Sequence, residues 1–260
     1  MRRYLQILTV LTVVATPCGF AQAQTLTAAK IDSINKATAS FLALAKDSGT
    51  TGKAPRYSEP TVRPLLDTAL DTKDIQGGKP LPWSSEPLLQ DWYRATVKIG
   101  LVYYLAGTGV KDVEAVNADP QKIIKANSNT SAFAAELGRY YDAQIRIHSA
   151  MIDSATAQLA AATDEQKKDA TFRTTLTNIS ASTANAMSGV LGAFTLPGLS
   201  DDWLLQRVVV LLDVTPRAAK FMTPQDREIL RNAAAEVAER IKDPDLKSGV
   251  NAIARAFALL

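Results

Sequence analysis

The sequence predicts an all-α protein, a helical bundle built around a long antiparallel αα-hairpin at about residues 130–195. Three observations carry that expectation. Apolar residues recur at helical spacing in nearly every segment between turn signals. Helix-start signals recur at Ser85 with Pro87, Asp119–Pro120, Thr223–Pro224 and Asp243–Pro244, each pairing a capping side chain with a proline in the first turn. One stretch alone, Val208 to Leu212, also reads as a buried strand, and a lone strand has no partner for its backbone groups.

Residues 1–23 are expected to be a secretory leader. Arg2 and Arg3 precede an apolar run from Tyr4 to Ala15, and Pro17 and Gly19 break it. Ala21 and Ala23 form a small-x-small site, so the predicted cut follows Ala23. The run is shorter than the roughly 20 residues a spanning helix needs, and no later run is longer, so no transmembrane segment is expected after cleavage. Pro17 before Cys18 argues against a lipid acceptor at that cysteine. Residues 24–260 are then expected to form a single all-helical domain, periplasmic or secreted. Cys18 is the only cysteine and leaves with the leader, which excludes a disulfide, a thiol nucleophile and a Cys-ligated metal. The leader also removes two of the 29 basic residues and none of the 26 acids, leaving a net charge of about +1. That balance does not point to nucleic acid.

The first helix is expected over Thr27 to Lys46, with Ile31, Ile34, Ala37, Phe41 and Leu44 on one face and Gly49 as its stop. Pro60 suits a first turn ahead of Val62, Leu65, Leu66, Ala69 and Leu70. A loop through Gly77–Gly78 leads to a helix capped at Ser85 and stopped by Gly107. Its Leu88, Leu89, Trp92, Thr96, Ile99 and Tyr103 form one face, and Tyr93, Val97, Leu101 and Tyr104 another. A helix apolar on most sides is central, so this one is expected to be a hub. Short helical pieces are expected over 110–127.

Two long helices follow, Thr130 to Ala162 and Asp164 to Phe194, reversing at Thr163 with Gln166 at capping-box spacing. One register pairs their stripes as antiparallel neighbours: Phe133 with Phe194, Leu137 with Val190, Tyr141 with Ala186, Met151 with Leu176 and Ala155 with Phe172. Ser200 restarts the chain after Pro197–Gly198, Thr215–Pro216 and Thr223–Pro224 each read as cap plus first turn, and Asp243–Pro244 opens the last helix. Leu246, Val250, Ile253 and Phe257 give that helix a packed face close to the C-terminus.

Chemistry is constrained mainly by exclusion. His148 is the only histidine, so a multi-His zinc site is out, and no metal or cofactor is expected. Gly49–Thr50–Thr51–Gly52–Lys53 has two residues between its glycines where a phosphate loop needs four. Asp201–Asp202 reads as acids placed at a helix N-terminus. Trp83, Trp92, Tyr93, Tyr103 and Tyr104 with Arg94 read either as core or as an aromatic contact surface. The one local anomaly is polar. Gln144 and His148 interrupt the apolar stripe of the first hairpin helix, and the register sets Gln144 against Thr183 and His148 against Ile179. Gln144, His148, Tyr140, Tyr141 and Thr183 are therefore the candidate ligand-binding residues, and no catalytic residue is assigned. The expected function is non-catalytic: an exported envelope protein that binds a partner protein or a small ligand. The alternative is a periplasmic hydrolase acting on an envelope polymer with carboxylates or His148. A structural subunit with the hairpin as its interface is a third reading.

Overall fold

The computed structural model describes residues 26–75, 80–109, 130–195 and 198–258. The leader with Cys18, the Gly77–Gly78 loop, the short helices expected over 110–127 and Pro197 lie outside the described residues. Among the described residues there are ten α-helices and no strand, so the fold is all-α. They are α1 Ala28–Leu44, α2 Ser48–Thr51, α3 Arg63–Leu70, α4 Glu86–Thr108 and α5 Ala134–Ala161. There follow α6 Asp164–Lys168, α7 Ala170–Ala193, α8 Asp201–Ala218, α9 Pro224–Arg240 and α10 Pro244–Ala258. No helix among them is long and apolar enough to cross a membrane.

Local side chains set most helix starts. The hydroxyls of Thr27, Ser200 and Thr223 accept from the N–H groups of Lys30, Trp203 and Asp226. Asp243 accepts from Leu246 N–H at 2.8 Å. Thr163 and Gln166 make a reciprocal capping box. Each of these caps stabilises its helix by about 1 kcal/mol.

Four expectations are corrected. Gly49 does not end the first helix: α1 closes at Leu44, Gly49 sits inside the one-turn α2, and Gly52 takes the left-handed conformation at φ 66°. Leu44, expected on the apolar face, is 54% exposed. Pro64, rather than Pro60, occupies the first turn of α3. Thr215–Pro216 does not start a helix. α8 runs through it to Ala218, with Pro216 inside the last turn at the loss of the backbone bond its N–H would have made.

The region expected to be a two-arm hairpin is also changed. Its second arm is broken at Asp169, whose carboxylate accepts from Phe172 N–H at 2.8 Å and so starts α7 anew. α5 and α7 are in contact. However, Phe133 and Leu137 join a different apolar cluster from Val190 and Phe194. The first turns of α5 are given to α3 and α4, while the last turns of α7 join α8–α10.

The core has three clusters. The first unites α8, α9 and α10 with the end of α7. The second holds Phe41 of α1, the buried face of α3, Ile99 and Tyr103 of α4, and Leu137 of α5. The third holds Ile31 and Ile34, Leu89 and Trp92, Met151 and Ile179. Among the described residues α5 is the helix that reaches all three, with Ile145 and Ile152 in the first, Leu137 and Ala143 in the second, and Ile147 and Met151 in the third. The expected hub, α4, joins two of them and touches α1, α2, α3 and α5.

Candidate functional site

The polar residues picked out on α5 divide between a closed core and an open cleft. Gln144 is 2% exposed and donates through its side-chain amide to the hydroxyl of Thr96 on α4. The expected partner, Thr183, is buried, and its hydroxyl has no hydrogen-bond partner among the described residues. The expected Gln144–Thr183 pair is therefore replaced by a tie between α5 and α4. The two-helix register left out α4, the third helix that packs on this face of α5.

His148 is completely buried. Its Nδ1 lies 2.8 Å from the Gln144 carbonyl one turn back, so Nδ1 carries the proton and donates. The ring meets Tyr93 edge-on, with centroids 4.7 Å apart. Burial lowers its pKa from 6.5 to about 4, against a smaller upward push from the backbone bond to Gln144. His148 is thus a neutral core group, held by its own helix and by an aromatic wall. Asp153 and Ser149 on the same helix both bind Arg217 on α8 instead.

The rings of Tyr140 and Tyr141 meet at a tilt of 52°, with centroids 5.0 Å apart. Burial raises the pKa of both phenols. Tyr140 packs toward α4, where a Cβ on Gly100 would fall 2.6 Å from its ring. Tyr141 faces the other way, toward α7, and its ring edge lies 3.4 Å from where a Cβ on Gly189 would be. The five candidate residues therefore do not form one site. Gln144, His148 and Thr183 are core, and Tyr141 lines a cavity.

That cavity is a cleft of about 800 Å³ between the end of α7, the start of α8 and the turn from α9 to α10. Phe194, Leu204 and Leu246 are its buried apolar lining, with Tyr141 beside them. Gly189 and Gly192 of α7 leave one wall without side chains. Arg240, Lys242, Asp201 and Asp243 stand at the exposed margin. Sequence reasoning missed all of these residues except Tyr141. The available signal was the pair of glycines three apart at the end of a helix, Gly189 and Gly192.

The aromatic set resolves mostly into core. Trp92 and Tyr103 are fully buried, donating to the carbonyls of Ala69 at 2.8 Å and Pro55 at 3.1 Å. Trp83 is half-buried against Phe172 with centroids 5.6 Å apart. Arg94 pairs with Asp91 on its own helix. Asp201 and Asp202 occupy the first turn of α8, as expected. Among the described residues no three His, Cys, Asp or Glu side chains converge as a metal site would require. No protein-family model, curated protein or solved structure matches this chain.

Proposed function

We propose that this chain is an exported, non-catalytic binding protein whose cleft between α7 and the α9–α10 turn takes a small ligand or an element of a partner. The carrying observation is the cleft itself. Its volume of about 800 Å³ lies within the usual range for ligand sites. Its lining joins a buried apolar floor to a charged margin of Arg240, Lys242, Asp201 and Asp243. The leader-like residues 1–23 support export. The hydrolase alternative is disfavoured where it relied on His148, because a completely buried imidazole cannot touch a substrate.

Native mass spectrometry on protein purified gently from the envelope of its own host tests both parts. The expected result is the mass of residues 24–260 plus a retained small molecule or partner. A bare chain beginning at Met1 would overturn the export reading. A bare mature chain that also binds no member of a broad ligand panel would overturn the binding reading.

A further inference from the structure

We propose that the ligand of this cleft is an organic anion, a carboxylate or similar acidic head carried on an apolar body. The inference rests on the cleft being the binding site and adds the chemistry of what it holds.

The first argument is the shape of the α7 wall. Three other helical glycines have a packing reason. A Cβ on Gly100 would strike the Tyr140 ring, one on Gly138 would press on Trp203, and one on Gly249 would lie 2.5 Å from Val208. Gly192 has none, because a Cβ there would meet nothing within 4 Å. Its backbone is not in the left-handed region either. Gly192 lies in the last turn of α7, where neither packing nor a turn conformation requires a glycine. What its missing side chain does provide is room in the cleft, beside Gly189 and over the apolar floor of Phe194, Leu204 and Leu246.

The second argument is charge. Arg139, Arg207 and Arg217 are all engaged by aspartates. The side chains of Arg240 and Lys242 make no ion pair or hydrogen bond among the described residues, and both line the cleft. The facing acids are already used. Asp243 caps α10 through Leu246 N–H, and Asp201 sits in the first turn of α8, where the helix N-terminus offsets its charge. The unspent donors at the margin are therefore cationic, and a guanidinium is the group best shaped to grip a carboxylate. An acidic head at Arg240 and Lys242 leaves its apolar body lying along the glycine wall.

Isothermal titration of the mature protein at low salt with decanoate, decyltrimethylammonium and decyl glucoside tests the inference. Decanoate is expected to bind at one site, and the other two compounds far more weakly. Replacing both cations (Arg240→Gln with Lys242→Gln) is expected to weaken decanoate about tenfold, the effect of removing one charge-assisted hydrogen bond. Gly192→Leu is expected to abolish binding at an unchanged or higher Tm, since its Cβ has free space and leucine favours the helix. Equal binding of all three compounds, abolished by Gly192→Leu, would overturn the anionic head and leave the cleft reading standing. Decanoate binding that Gly192→Leu does not disturb would overturn the site. Binding of none of the three would overturn the inference as well.

Discussion

Two regions of the molecule are held together in different ways. Residues 52–62 run irregularly before α3 and are tied to the bundle by polar side chains. Glu136 of α5, 4% exposed, accepts from Tyr57 N–H at 2.9 Å and faces Arg56. Tyr57 donates its hydroxyl to Asp67 at 2.9 Å, Asp67 pairs with Arg139, and Arg139 covers the Tyr57 ring at 4.0 Å. Helices α8–α10, by contrast, pack through Leu211, Leu230, Val250 and Ile253, with Val208 seated against Gly249. Their polar links to one another among the described residues come down to the exposed Lys247–Glu239 pair. The difference follows from what the backbone needs. A helix satisfies its own N–H and C=O groups and needs only apolar contact with its neighbours. An irregular segment must find side-chain partners for groups that cannot stay bare when buried.

Mutating one region at a time breaks the contrast most strongly. Gly249→Leu puts a side chain where the first added carbon already lies 2.5 Å from Val208, so overpacking is expected to cost about 3 kcal/mol. Glu136→Ala is expected to cost about 2 kcal/mol by leaving Tyr57 N–H without its acceptor. Urea unfolding read by circular dichroism measures both. The sharper discriminator is relief by a second change. Val208→Ala makes room beside position 249 and should recover part of the first loss, while no repacking substitution should recover the second. Recovery of the Glu136→Ala loss by enlarging an apolar neighbour would erase the distinction.

His148 lies on α5, the helix both regions share, and it predicts a pH effect. Its folded pKa of about 4 lies below the ordinary 6.5, so the unfolded chain takes up the proton first. The stability present above pH 6.5 is lost as pH falls toward 4, amounting to about 2 kcal/mol between pH 7 and pH 5. Carboxylates titrate in part of that window as well, so the measurement is a difference. Unfolding free energy is followed against pH for the wild type and for His148→Gln, and the wild type should show the steeper fall. Parallel curves would mean that His148 does not stay neutral in the folded core.

What the sequence made legible is what short stretches of chain decide. The caps at Thr27, Thr163, Ser200, Thr223 and Asp243 each act on a backbone N–H three residues away, and each is readable from its neighbours alone. The helix through Trp203 to Leu212 is readable because the sequence offers no second strand candidate to pair with it. Pro216 is not, since Thr215–Pro216 has the form of a helix start while α8 continues through it. Asp169 is hidden by Thr163, which already supplies a start signal nearby. The candidate site is the least legible part. Its cleft draws on residue 141, residues 189–195, residues 201–204 and residues 240–246, and no local pattern links those four stretches. His148 and Gln144 do stand out as polar residues in an apolar stripe. They make no site because a third helix, α4, supplies Thr96 and Tyr93 to meet them.

The smallest expected effect tests that third-helix correction directly. Gln144 is held by Thr96, and Thr183 is left with a buried hydroxyl that bonds nothing among the described residues. Thr183→Val keeps the shape and removes an unpaired polar group, so it should be neutral or should stabilise by up to about 1 kcal/mol. Thr96→Val should destabilise by about 1 kcal/mol, and in a double-mutant cycle with Gln144→Leu the two losses should couple. The same cycle between Gln144 and Thr183 should show additivity. Thermal unfolding of the variants and their doubles reads both cycles. Coupling at Thr183 without coupling at Thr96 would return Gln144 to the α5–α7 contact. It would make this pair a register pin between those helices rather than a tie from the centre of the bundle to its N-terminal half.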